Sequence, residues 1–273
     1  MNRKILTAGE KAAAWNRVQA EICCRYGPRA ILSAGSGFLF VRPIQTGLVG
    51  LNAALGIGGI PKGRIVEIHG DAGAGKTALA LHLAHQVPTA LYIDADYGLT
   101  PAQGAGLYMA RPDTLEDALG ICETAAPAFN MIVIDSIPAL PARSNLEIGI
   151  SDCYASDARS TTARILTRAL PRLLRTLNGY GCTLVLVTQV RENPEDVGGN
   201  PKFALGGRAL KHYASVRLEV VNAGNVREKN VVVGQRVRIR VVKNKCGPEQ
   251  RMALALLRYD APADKLLTDA SFE

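Results

Sequence analysis
Eight consecutive residues, Gly70-Asp71-Ala72-Gly73-Ala74-Gly75-Lys76-Thr77, carry the clearest chemistry in this 273-residue chain. They satisfy G-x-x-x-x-G-K-[ST] in full. Glycines let a loop curl until successive backbone N–H groups point inward at an anion. The lysine adds a point charge for the β- and γ-phosphates, and the threonine hydroxyl is a ligand for the Mg2+ that accompanies a nucleotide. Gly70 through Ala78 are therefore the expected nucleotide contacts, with Lys76 also serving the reaction. The alternative is a glycine-rich turn that only closes a corner. The flanks argue against it: Arg64–His69 reads as a strand and Ala78–Ala84 as a helix.

Further acids and amides fall at the ends of apolar runs. Met131–Ile134 runs into Asp135, where a carboxylate at a buried strand's tip would hold magnesium with Thr77. A strand that happens to end in Asp is the other reading. Leu91-Tyr92-Ile93 runs into Asp94 and Asp96, which share a face. Either one of them orients the water that attacks the γ-phosphate, or both are solvated loop acids. Thr183–Thr188 delivers Gln189 to the same kind of edge. Residues 191–208 follow, glycine-rich and basic, with Arg191, Lys202, Gly206, Gly207 and Arg208. Such a segment suits contact with a polyanion, the alternative being a disordered surface loop. Residues 141–160 form a second long loop. It leads into a helix with Arg164, Arg168, Arg172 and Arg175 at i, i+4, i+8 and i+11, a stripe that favours nucleic acid.

The elements that must position these groups read as alternating strands and helices from Thr46 onward. Continuous apolar strands at 64–69, 90–94, 131–135 and 183–188 suit a parallel sheet covered on both faces, an α/β fold. Val237, Ile239 and Val241 alternate with Arg236, Arg238 and Arg240, which predicts a half-exposed, antiparallel strand. Residues 8–26 predict a helix with Trp15, Val18 and Ile22 on one face, followed by a short strand at Phe38–Val41. Pro171 is expected to kink the arginine-bearing helix. Residues 1–45 thus read as a small arm, too small for a core of its own, and 46–273 as the main domain.

Composition adds bounds. Hydrophobic residues are 48% and charged residues 21%, which is globular, and no apolar run has the length of a membrane helix. The six cysteines are scattered without a C-x-x-C, so reduced thiols and a cytoplasmic location are expected. The net charge of +8 favours a polyanionic partner.

Longer segments resemble the bacterial RecA recombinase family over roughly residues 46 to 258. They are Thr46–Gly56 with Gly59–Ile68, Arg111–Thr114 with Ala118-Leu119 and Cys122-Glu123, Gly206–Leu218, and Val241–Lys245. The phosphate loop is shared by many NTPases, and these four segments are more specific. The resemblance implies a RecA-type P-loop core with a polymerisation arm. It implies an ATP-dependent, Mg2+-requiring protein that forms helical filaments on single-stranded DNA and pairs it with homologous double-stranded DNA. Residues 141–160 and 191–208 would be the two DNA-binding loops, with Arg164 and Arg191 as contacts. Gln189 would sense the γ-phosphate, and Lys243 and Lys245 would reach ATP across the subunit interface.

The departures from the family pattern are specific. Asp96 stands where a catalytic Glu is usual, Gln103 where an aromatic ring stacks on adenine, and His212 where a Phe couples subunits. Pro194 replaces an aliphatic wedge, and the first DNA loop is longer by about four residues. The family's C-terminal domain and acidic tail have no counterpart in the residues given. These departures leave a second reading, an accessory or regulatory protein that binds nucleotide and DNA without strand exchange. A hexameric motor shares the core but not the segments at 206–218 and 243–245.

Overall fold
The computed structural model describes residues 7–28, 30–31, 40–146, 158–192, 202–204, 207–262 and 265–270. The chain divides into two units, residues 1–41 and 42–273. The first holds α1 (Ala8–Tyr26). Thr7 caps it in a reciprocal box with Glu10, whose carboxylate accepts from the Thr7 backbone N–H at 2.8 Å, and Gly27 ends it at φ 96°. No residue of α1 is buried, and Trp15 and Val18 are both exposed. Of the strand expected at 38–41, Phe38 and Leu39 lie outside the described residues.

In the second unit, β1 (Pro43–Ile44), α2 (Val49–Leu55) and β2 (Ile60–Pro61) lead into β3 (Ile65–Gly70) and α3 (Lys76–Ala84). Residues 43–44 pair with 60–61, which ties this stretch to the larger unit. Then come β4 (Ala90–Asp94), β5 (Tyr108–Ala110), α4 (Leu115–Ala125), β6 (Met131–Asp135), a 3₁₀ turn, α5 (Arg143–Leu146) and α6 (Ala158–Tyr180). The chain continues with β7 (Thr183–Glu192), β8 (Lys202–Ala204), α7 (Gly207–Tyr213), β9 (Val216–Glu228), β10 (Val231–Asn244), β11 (Met252–Arg258) and β12 (Leu267–Asp269). Pro171 lies inside α6, which runs through it as one helix.

Among the described residues one ten-stranded sheet dominates, in the order β12-β11-β10-β9-β3-β7-β6-β4-β5, with β8 paired to β7. From β9 to β5 the neighbours are parallel; β9 through β12 run antiparallel. The parallel strands are apolar throughout because both of their faces are covered. Val66, Ile68, Val133 and Val185 pack with Leu79 and Leu83 of α3 on one side. Ile65, Ile132, Ile134 and Leu184 pack with Leu115 of α4 and Leu166 and Leu170 of α6 on the other. In β10 the alternation is also as expected: Val237, Ile239 and Val241 are buried, and Arg236 and Arg238 are exposed.

One buried polar cluster interrupts the second apolar layer. Glu67 on β3 is ion-paired to Arg217 on β9, and Thr188 on β7 donates to Glu67 at 3.0 Å. His69, next along β3, is buried, and neither ring nitrogen has a hydrogen-bond partner among the described residues. Burial holds its imidazole below the ordinary 6.5, opposed by Glu67 and Glu219 and assisted by Arg217 and Lys211. The neutral ring's contribution is therefore full above the unfolded pKa and is lost as pH falls through the folded one. Thermal stability is expected to fall on acidification below about pH 6.5. His69→Gln should flatten that dependence; parallel Tm-against-pH curves would assign the loss to other groups.

Candidate nucleotide site
The parallel strands deliver their carboxyl ends to one edge of the sheet, the usual location of ligands in α/β folds. In register there, Asp94 of β4 lies beside Asp135 of β6, and Gly70 of β3 beside Gln189 of β7. The loop Gly70–Thr77 joins β3 to the N-terminus of α3, so its backbone N–H groups and the helix dipole favour an anion. Gly70 is required by a close approach, since a Cβ there would lie 2.1 Å from the Val220 carbonyl oxygen. Gly75 adopts φ +97°, a left-handed conformation that a side chain disfavours.

Lys76 is buried at the centre of the loop, its Nζ donating to the Asp71 carbonyl at 2.7 Å. Desolvation lowers its pKa, and Asp135, Asp71 and Asp96 oppose that shift. Asp135 is buried too, and burial raises its carboxyl above the usual range, opposed by the nearby hydroxyls of Thr77 and Tyr92. Tyr92, fully buried on β4, donates its hydroxyl to Asp135 Oδ2 at 2.8 Å.

The two acids at and just past the end of β4 separate cleanly. Asp94 is buried and committed: it accepts from Arg111 Nη2 at 2.8 Å and Nε at 3.2 Å, and from the Gly98 backbone at 3.1 Å. Arg111 also stacks on the Tyr97 ring at 5.1 Å. Asp94 thus shapes the turn after β4. Asp96 is exposed and, among the described residues, held only by Ser136 Oγ at 3.3–3.4 Å, which leaves its carboxylate available to a substrate.

A cleft of about 560 Å³ opens beside the loop, lined by Gly73, Lys76, Thr77, Gln103, Gln235 and Tyr259 among others. Gln103 uses its carboxamide oxygen to accept from the Thr100 N–H and hydroxyl, both at 3.0 Å. The aromatic ring bordering this cleft belongs instead to Tyr259, past the end of β11. Gln235 of β10 reaches across to donate to the Gly73 carbonyl at 3.2 Å, bracing the loop. Neither Tyr259 nor Gln235 has a sequence signal, because both reach the site from strands far along the chain.

The donor set fits magnesium. Asp135 and Thr77 offer hard oxygens close to one another. Among the described residues no cluster of three His, Cys, Asp or Glu forms a closed cage. Magnesium suits such an open site, because it is held by one or two protein oxygens plus phosphates and water.

The remaining expected residues lie elsewhere. Lys243 and Lys245 are not at this protomer's cradle. Lys243 pairs with Arg217, itself level with Glu67, three residues before the loop begins. Their amines donate to the final carbonyls of α7: Lys243 to Lys211 and His212, and Lys245 to His212 at 2.9 Å. The arginine stripe of α6 is not uniformly free. Arg172 is ion-paired with Glu123 of α4, and Arg168 lines the same α4–α6 cleft beside Glu116 and Glu123. Arg164 is exposed, two turns into α6. Arg191 lies in β7 and Lys202 in β8, and their strands pair at Arg191↔Phe203 and Glu192↔Lys202. Gly207 begins α7, Arg208 beside it is exposed, and Gly206 and Pro194 lie outside the described residues.

A strand–loop–helix phosphate cradle on a parallel sheet, with acids at the neighbouring strand tips, defines a P-loop nucleotide-binding protein. The family of the RecA N-terminal domain matches residues 14–261. Protein RecA of Caulobacter vibrioides is 34% identical over 272 residues, covering 94% of this chain and 75% of its own length. Protein RecA of Clostridium acetobutylicum is 36% identical over 265 residues, covering 92% of this chain and 75% of its own. The crystal structure of the RadB recombinase superposes with a TM-score of 0.58 at 18% identity, covering 84% of this chain and all of that one. The chain belongs to the RecA family, whose members are ATP-binding recombination proteins. Among the described residues no helix is long and apolar enough to cross a membrane.

Proposed function
We propose that this chain is a DNA-dependent ATPase of the cytoplasm that assembles on single-stranded DNA as a helical filament and pairs it with homologous duplex. The observation that carries the reading is the course of β7. Its residue Gln189 lies level with Gly70 at the mouth of the phosphate loop, and the same strand continues to Glu192 and into the basic segment 191–208. A γ-phosphate that draws Gln189 would pull on the segment that contacts DNA. Nucleotide state and DNA affinity are then coupled through one strand.

In this mechanism the loop N–H groups and Lys76 bind and orient the triphosphate. Thr77 and Asp135 hold Mg2+, which when bound neutralises charge on the phosphate oxygens. Asp96 accepts the proton of the attacking water. Lys243 and Lys245, turned away from their own cradle, serve the nucleotide of the neighbouring protomer. Residues 1–45 supply the polymerisation contact, with Trp15 and Val18 among its exposed apolar side chains. Arg164, Arg168, Arg191, Lys202, Gly206, Gly207 and Arg208 line the DNA path.

Two measurements test this. A strand-exchange assay with ATP and homologous duplex should yield joint molecules; DNA and nucleotide binding without exchange would favour the accessory role. Affinity for single strands should fall with salt at a log–log slope of about −0.7 per phosphate contact. Arg164→Ala should make that slope shallower by about one contact, while Arg172→Ala leaves it unchanged. Equal slopes for wild type and Arg164→Ala would move the DNA path off α6.

A further inference from the structure
The hydroxyl of Tyr92 is a polar atom placed inside an apolar layer. The ring lies among Val133, Val185 and Leu79, where a phenylalanine would supply the same apolar surface. The hydroxyl instead reaches diagonally, two residues along, to the tip of the adjacent strand, 2.8 Å from Asp135 Oδ2. A phenol is protonated at neutral pH, so beside a carboxylate it donates. Asp135 therefore takes a hydroxyl donor from β4, Tyr92, and lies close to the Thr77 hydroxyl of the first turn of α3. A neutral hydroxyl at 2.8 Å restrains the plane of that carboxylate, beside Thr77, the other oxygen proposed to hold magnesium. Partners of this kind orient metal ligands and commonly change metal affinity by about 10- to 100-fold when removed.

We propose that Tyr92 is a positioning residue for the magnesium end of the nucleotide site: its hydroxyl locks the carboxylate of Asp135 in the orientation that Thr77 and the metal require. This rests on the Mg-nucleotide reading of the site. Tyr92 does not touch the nucleotide; it acts through Asp135 alone. The loop N–H groups and Lys76 do not depend on it, so the metal-independent part of binding should not either.

The test is equilibrium binding of a fluorescent ATP analogue, titrated with Mg2+ from EDTA to saturation, for wild type and Tyr92→Phe. In EDTA the two affinities should agree, because the phosphate cradle is intact. The Mg2+ concentration for half-maximal tightening should rise about tenfold in Tyr92→Phe. In an Asp135→Asn background, Tyr92→Phe should produce no further shift. Superimposable Mg2+ curves, with or without a lower Tm, would reduce Tyr92 to a core residue that merely satisfies its own hydroxyl. An equal shift in the Asp135→Asn background would show that the effect bypasses Asp135, and would also overturn the proposal. A wild-type protein whose nucleotide affinity ignores Mg2+ would overturn the magnesium reading itself, an outcome distinct from failure of Tyr92 alone.

Discussion
Lys76→Ala is expected to abolish ATP hydrolysis, by at least about a hundredfold, and to weaken ATP binding. Lys76 is the cation at the centre of the cradle, and removing one preorganised donor from such a site costs roughly 10²–10³ in rate. The free protein should not suffer. Burial lowers the pKa of Lys76, so the fold disfavours its charge. Taking that ammonium out of water is a cost the folded state bears. Its replacement should therefore leave the Tm of nucleotide-free protein unchanged or raised, while the ATP-dependent rise in Tm shrinks. Nucleotide turnover and thermal shift, measured on the same preparation, separate these effects. Wild-type turnover in this variant would mean that the cradle is not where the nucleotide reacts.

What the sequence made legible follows from how local each signal is. The phosphate loop is eight contiguous residues, and its strand and helix flank it directly. Asp135 and Gln189 end apolar runs whose depth in the sheet is written in their composition, so their arrival at one edge could be expected. Long-range partners were not legible. Nothing in the run Leu91-Tyr92-Ile93 says that the phenol will bond Asp135 across strands, or that Gln235 and Tyr259 will border the cleft. The arginine stripe of α6 illustrates the same limit. Its spacing reads as one basic face, yet Arg172 meets Glu123, and α4 is remote in sequence. Pro171 removes a backbone donor inside that helix, and α6 extends beyond it to Tyr180, packed by Leu166, Leu170, Leu173 and Leu177 into the second core layer. Tertiary burial there outweighs a local preference.

Asp96→Asn is expected to reduce hydrolysis by about 10²–10⁴, the range for losing a general base, with ATP affinity little changed. Spacing alone left Asp94 and Asp96 as equal candidates, and geometry divides them. Asp94 is consumed by Arg111 and the backbone of the turn, so Asp94→Asn should act on stability, by roughly 1.5–3 kcal/mol for a hydrogen bond to a charged group. Among the described residues Asp96 has only the long contact from Ser136, and its field reaches Lys76. Its side chain is one methylene shorter than the Glu usual in the family, which sets the carboxylate back by roughly 1.5 Å. A misplacement of about 1 Å can cost on the order of a hundredfold in rate. The protein should therefore turn over ATP slowly and form long-lived filaments, and Asp96→Glu should raise the DNA-dependent rate at nearly constant ATP affinity. The shared neighbour makes a sharper test. If Ser136 steadies the Asp96 carboxylate, Ser136→Ala should lower turnover in wild type and matter less beside a glutamate that reaches past it. A fall in rate on Asp96→Glu would mean that the turn built by Asp94 and Arg111 has already brought Asp96 to the distance the water requires.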